Sequence, residues 1–111
     1  MTVYVTQETT HDFTKAEQYG DIEFITKDDF SNVKNSLVNK SLIMEVNHRV
    51  KKFDPNEDWL IITGSPYVSA AVFMAIGRRG FQAVNVLRWD NRDATYRPIT
   101  IDLNAARATI D

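Results

Sequence analysis

Trp59-Leu60-Ile61-Ile62-Thr63-Gly64-Ser65-Pro66 decides how this chain folds. The run from Trp59 to Thr63 is apolar or β-branched throughout and is bounded by turn residues. It reads as a central strand buried on both faces. Ser65 then reads as a helix N-cap, because its hydroxyl can accept from first-turn N–H groups. Pro66 suits the first helical position, where its missing N–H costs nothing. A buried strand that turns straight into a helix is the unit of a parallel α/β sheet.

Downstream, the helix is expected from Pro66 to about Arg79. Val68, Ala71, Val72, Ala75 and Ile76 form its buried stripe, and Arg78, Arg79 and Gly80 close it. Ala83–Trp89 is the next strand, Asp90–Ala94 a polar turn, and Thr95–Leu103 an alternating last strand. The two strands predict an antiparallel hairpin. Pro98 has no N–H for a ladder, so its strand belongs at a sheet edge.

Upstream, Val3–Thr6 and Ile22–Ile25 read as strands. The polar stretch from Thr9 to Gly20 carries a helical turn around Phe13 and Ala16, with Gly20 as a left-handed cap. The region from 28 to 53 has two apolar stripes: Phe30, Val33, Leu37, Met44 and, out of phase, Val38, Leu42, Val46, Val50, Phe53. One straight helix cannot bury both. The phases predict a short helix or ordered loop over 28–37, capped by Thr26 or Asp28. A second helix follows from about Ser41 to Phe53, stopped by Asp54-Pro55. Glu45 and Arg49 are spaced for an i,i+4 ion pair on it.

Helices alternating with strands around one apolar strand predict a small single-domain Rossmann-like α/β sheet, mostly parallel, with an antiparallel C-terminal hairpin at one edge. A length of 111 residues fits one domain, placed at 1–103 with a flexible tail over 104–111. The sequence has no cysteine, which removes disulfides, thiol nucleophiles and thiolate metal sites. The formal charge of −2 suggests neither a nucleic-acid coat nor a membrane-surface binder. It is unevenly spread: residues 1–30 hold seven acids and two bases, and residues 31–111 hold eight acids and eleven bases. Such a dipolar chain can dock on a charged partner. The N-terminus has no basic, apolar leader pattern and no apolar run approaches a membrane span, so a cytoplasmic location is expected.

Ligands of open α/β sheets collect beyond the carboxyl ends of strands, near helix N-termini. That makes Gly64, Ser65 and Tyr67 a candidate site for a nucleotide or another small anionic ligand, with Glu8 contributed from the end of the first strand. With a single glycine the turn is neither a dinucleotide fingerprint nor a P-loop. His11 and His48, the two histidines, lie on separate segments with no metal-ligand spacing, and no catalytic constellation, metal site or cofactor is expected. The second candidate is the hairpin. Trp89, Arg92, Tyr96 and Arg97 combine residue types that anchor protein interfaces.

The landmarks Val3-Tyr4-Val5, Gln7-Glu8, Tyr19-Gly20, Asp58-Trp59-Leu60, Gly64 with Pro66, Trp89-Asp90 and Tyr96 with Pro98 also form a pattern. It resembles a family of small proteins encoded by tailed bacteriophages, over about residues 3–103. In that family an acidic residue usually stands between the glycine and the proline, where this chain has Ser65. The resemblance implies a phage context and no particular chemistry. The combined expectation is a non-enzymatic interaction factor, a phage accessory or host-takeover protein in the host cytoplasm. It would bind a partner protein, or itself as a homodimer, through the hairpin edge. The alternative is the small-ligand module at Gly64–Pro66.

Overall fold

The computed structural model describes residues 1–34 and 36–104. Five strands form one sheet in the order β2-β1-β3-β4-β5: β1 Thr2–Gln7, β2 Asp21–Thr26, β3 Trp59–Ile61, β4 Ala83–Asp90 and β5 Thr95–Asp102. β1 runs parallel to β2 and β3, and β3 parallel to β4, while β5 returns antiparallel along β4. This is the expected mostly parallel Rossmann-like sheet with a C-terminal hairpin at its edge.

The order of crossovers explains the layers. From β1 the chain steps outward to β2, then reverses to β3 and on to β4. Right-handed crossovers must therefore place the first connection on one face and the next two on the other. The first is a 3-10 helix, Thr14–Tyr19. The other two are α1, Leu37–Val50, and α2, Pro66–Arg78. The core divides accordingly. Tyr4, Leu60, Val84 and Val86 pack under α1 and α2 with Leu42, Val46, Val72 and Ile76. Val3, Val5, Ile61 and Leu87 point the opposite way, toward Phe13 and Ala16. Leu60 is fully buried, and truncating such a residue to alanine costs about 2–5 kcal/mol.

Three sequence expectations need correction: the bounds of α1, the Gly20 cap and the partner of Arg49. The helix expected from Ser41 begins at Leu37, because the Ser36 hydroxyl accepts from Val38 N–H at 3.1 Å and starts it earlier. It ends at Val50, and Phe53 is buried beyond it. Leu42, Val46 and Val50 form the buried stripe as expected, while Leu37, Val38 and Met44 remain exposed. Over 28–34 the chain takes the ordered-loop alternative; Asn39 holds this loop by exchanging hydrogen bonds with Ser31 N–H and C=O at 2.7 and 3.0 Å. Gly20 is not a left-handed cap, since its φ is 149°; it is small because a Cβ there would lie 2.5 Å from Met1 O. Arg49 pairs with Glu23 on β2 at 3.5 Å, so the spacing to Glu45 did not decide its partner. The tail expected from Asn104 lies, beyond Asn104 itself, outside the described residues.

Candidate functional site

The carboxyl ends of β1 and β3 are tied together by two consecutive side chains of β1. Thr6 is completely buried, and its hydroxyl donates to Thr63 C=O at 2.8 Å and accepts from Thr63 N–H at 3.0 Å. A side chain thus replaces the backbone partner that β1 would supply, and the β3 ladder stops at Ile61 instead of Thr63. Gln7 Oε1 accepts from Ser65 N–H at 2.6 Å, and its Nε2 donates to Asp28 C=O at 2.9 Å. Gly64 has a φ of +81°, and a Cβ on it would sit 2.0 Å from Gln7 Oε1. The glycine therefore accommodates the glutamine of the same chain.

Those bonds occupy the donors of the turn. Pro66 has none, and Ser65 N–H is held by Gln7. Tyr67 N–H and Val68 N–H reach the Ser65 hydroxyl at 3.2 and 3.5 Å. Ser65 is the N-cap and Pro66 the first-turn residue, as the sequence predicts. Tyr67 is exposed and points no hydroxyl bond into the turn, while Glu8 is exposed and gives its N–H to Thr26 C=O at 2.8 Å. The side chain that β1 brings to Gly64 is that of Gln7.

A cleft of about 580 Å³ opens beside this turn. Its cause is a mismatch in strand length. β3 has three residues and meets β4 at a single register position, Leu60 with Val86. β4 continues to Asp90, paired only with β5. From Leu87 onward, the side of β4 away from β5 has no strand against it. Residues from both faces of β4 line the resulting notch: Leu87 and Trp89 from one, Val86 and Arg88 from the other. Ile61–Thr63 form the opposite wall, and His11–Phe13 with Lys15 close it from the β1 connection. The Thr14 hydroxyl and then its N–H hold the Asp12 carboxyl below the usual aspartate range. Burial, with a contribution from Asp12, pushes the Tyr96 phenol up.

The hairpin residues do not form one patch. Trp89 and Tyr96 are register partners on the face of the 3-10 helix, edge to face at 5.0 Å between ring centroids. Trp89 is 42% exposed, whereas Tyr96 is buried at 7% and serves as its support. Trp89 Nε1 donates to Asn91 at 2.8 Å, and the Lys15 ammonium lies 5.9 Å from the indole. Arg97 faces the helix side. It is bonded to Asp90 at 3.1 Å and to Asp93, which lowers the Asp90 carboxyl with help from Arg92 N–H. Arg92 is exposed at the tip. A second, shallower hollow beside the tip is lined by Arg88, Arg92, Arg97 and Pro98.

Sequence reasoning missed Thr6, Gln7 and Lys15. Thr6 and Gln7 carried a readable signal: two polar residues closing a strand whose preceding positions are apolar. Of the apolar residues of α1, Leu37 and Met44, whose phase marks a separate stripe, are exposed, and so is Val38, which the periodicity groups with the buried stripe. Among the described residues, no three His, Asp or Glu side chains converge as a metal centre, and no helix is long and apolar enough to cross a membrane.

Fold and cleft together define a small doubly wound α/β protein, open at the carboxyl edge of its sheet. The family model of phage Pam3 gp32-like proteins matches residues 1–103, and the chain belongs to that family. It is thus a phage protein. No curated protein and no solved structure matches it.

Proposed function

We propose that this phage protein is a non-enzymatic interaction factor acting in the host cytoplasm, and that it binds a partner protein, or a second copy of itself, through the C-terminal hairpin. One observation carries this reading. Trp89, a large side chain of the type that dominates interface energetics, is 42% exposed at the tip of a hairpin whose outer strand is a sheet edge among the described residues. Arg92 beside it is exposed and adds a cation at the same tip. Pro98 removes one donor from the middle of β5, which disfavours indiscriminate strand addition along that edge. Recognition then falls on side chains at the tip. The +3 charge of residues 31–111, which include the hairpin, suits an acidic partner surface.

The alternative, a small anionic ligand at Gly64–Pro66, would have to displace Gln7 from Ser65 N–H and the Ser65 hydroxyl from Tyr67 and Val68. Affinity purification from phage-infected cells tests the first reading. The wild-type chain should recover a partner, or sediment as a dimer. The Trp89→Ala, Arg92→Ala variant, folded to the same thermal midpoint, should lose it. Equal recovery and equal sedimentation by both proteins would reject the hairpin.

A further inference from the structure

The notch between β3 and β4 is a second feature, on the inner side of the hairpin, and it shares Trp89 with the hairpin tip. We propose that it is a binding site for a planar aromatic molecule carrying an anionic group, the chemistry shared by nucleoside monophosphates and aromatic carboxylates.

Three observations support this. The first is size and place. At about 580 Å³ the cleft falls within the range of small-molecule sites, roughly 300–1,000 Å³. It also lies at the carboxyl ends of the strands beside the point where the strand order reverses, where open α/β sheets hold ligands.

The second is unmet backbone. β4 is in register with β3 only at Val86, so beyond Leu87 the β4 backbone groups directed away from β5 face no strand among the described residues. Backbone polar groups in a largely apolar cleft need water or a ligand with donors and acceptors along its rim. A heteroaromatic ring edge has that character.

The third is the side-chain chemistry. Trp89 offers a ring for stacking, positioned by its edge contact with Tyr96 and its bond to Asn91. Two cations line the cleft with it, Lys15 beside the indole and Arg88 on the other face of β4. Lys15 uses one donor on Ala94 C=O at 2.5 Å and retains two more. Arg88 makes no side-chain hydrogen bond or ion pair among the described residues, although it lines the cleft. Asp12 is the one carboxylate in the lining, and Thr14 already holds it. Asp12 keeps its charge and interacts with Lys15, so the lining sets two cations against one carboxylate and is net positive. A flat ring against Trp89 with its anionic group toward Arg88 or Lys15 satisfies all three features.

The test uses the full chain carrying Trp59→Phe, so that Trp89 is the sole tryptophan and is excited selectively over the four tyrosines. It is titrated with the four ribonucleoside monophosphates, with benzoate and with inorganic phosphate. Saturable quenching by at least one aromatic anion and none by phosphate is expected; which arm saturates separates a nucleotide from an aromatic carboxylate. Replacing both cations, Lys15→Gln with Arg88→Gln, should weaken the constant at least about tenfold. Amide shift mapping on the unmutated protein provides a check that no substitution can confound, with changes expected at Ile61–Thr63 and Leu87–Trp89. Absence of saturation by every aromatic anion up to about 5 mM, a level equivalent to less than about 3 kcal/mol of binding, overturns the proposal. So does quenching that is indifferent to the two cations, or shifts that fall elsewhere.

Discussion

Gln7 and Gly64 share one volume: the amide oxygen of the glutamine lies where a Cβ on residue 64 would stand, 2.0 Å away, and from there it accepts Ser65 N–H at 2.6 Å. The contact joins the ends of β1 and β3 and, through Asp28 C=O, the loop after β2. It fixes the floor beside which the notch opens. Gly64→Ala must both hold alanine at a φ of +81° and move the glutamine. The expected cost is about 2–4 kcal/mol in chemical denaturation. The double variant Gly64→Ala, Gln7→Ala should cost less than the sum of the two single changes. Strict additivity would show that the two residues do not interact.

Asp58 performs a comparable task at the opposite end of the sheet. It is buried at 7% and accepts from Thr2 N–H and Asp54 N–H, each at 2.9 Å. Asp58→Asn replaces one acceptor oxygen with a donor that faces an N–H. A loss of about 1–3 kcal/mol is expected, read as a lower denaturation midpoint at unchanged slope.

The hairpin turn contains a position that glycine would suit better. Ala94 has a φ of +49°, a left-handed conformation that costs a non-glycine residue about 1–2 kcal/mol. Ala94→Gly also adds freedom to the unfolded chain, so the net gain should be about 0.5–1 kcal/mol. A thermal melt that rises by a few degrees agrees with this; an unchanged or lower midpoint does not.

The same turn responds to acid. Asp90 is held below the ordinary aspartate range, first by the Arg97 side chain and then by Arg92 N–H. A carboxylate whose folded value is depressed contributes above its unfolded value, and the contribution disappears as pH falls through the folded one. The turn should therefore loosen only below the ordinary aspartate range. Carboxyl carbon shifts give the midpoint directly. In Arg97→Gln that midpoint should move upward; an unmoved midpoint would dissociate Arg97 from the turn.

Much of this architecture was legible before the structure. Trp59–Ile61, the Ser65-Pro66 cap and the Pro98 edge strand follow from local chemistry: hydrophobic run, capping hydroxyl, missing N–H. What was not legible depends on residues distant in sequence. Thr6 ends β3 early by taking both backbone groups of Thr63, 57 positions away, and no local pattern announces that. The glycine at 64 invites a ligand when read alone, and only the fold reveals that Gln7 fills the space. Periodicity starts helix α1 too late because Leu37, Val38 and Met44 are apolar yet exposed, and packing does not use them. The cleft itself arises from unequal strand lengths, which burial patterns did not supply.

Those exposed α1 residues also give the interaction reading its sharpest rival. Once a partner is captured, hydrogen–deuterium exchange can compare the free protein with the complex, amide by amide. Binding through the hairpin predicts new protection concentrated between Arg88 and Pro98, with α1 unchanged. Protection centred on Leu37–Met44, with the hairpin exchanging as it does in the free protein, would contradict the account.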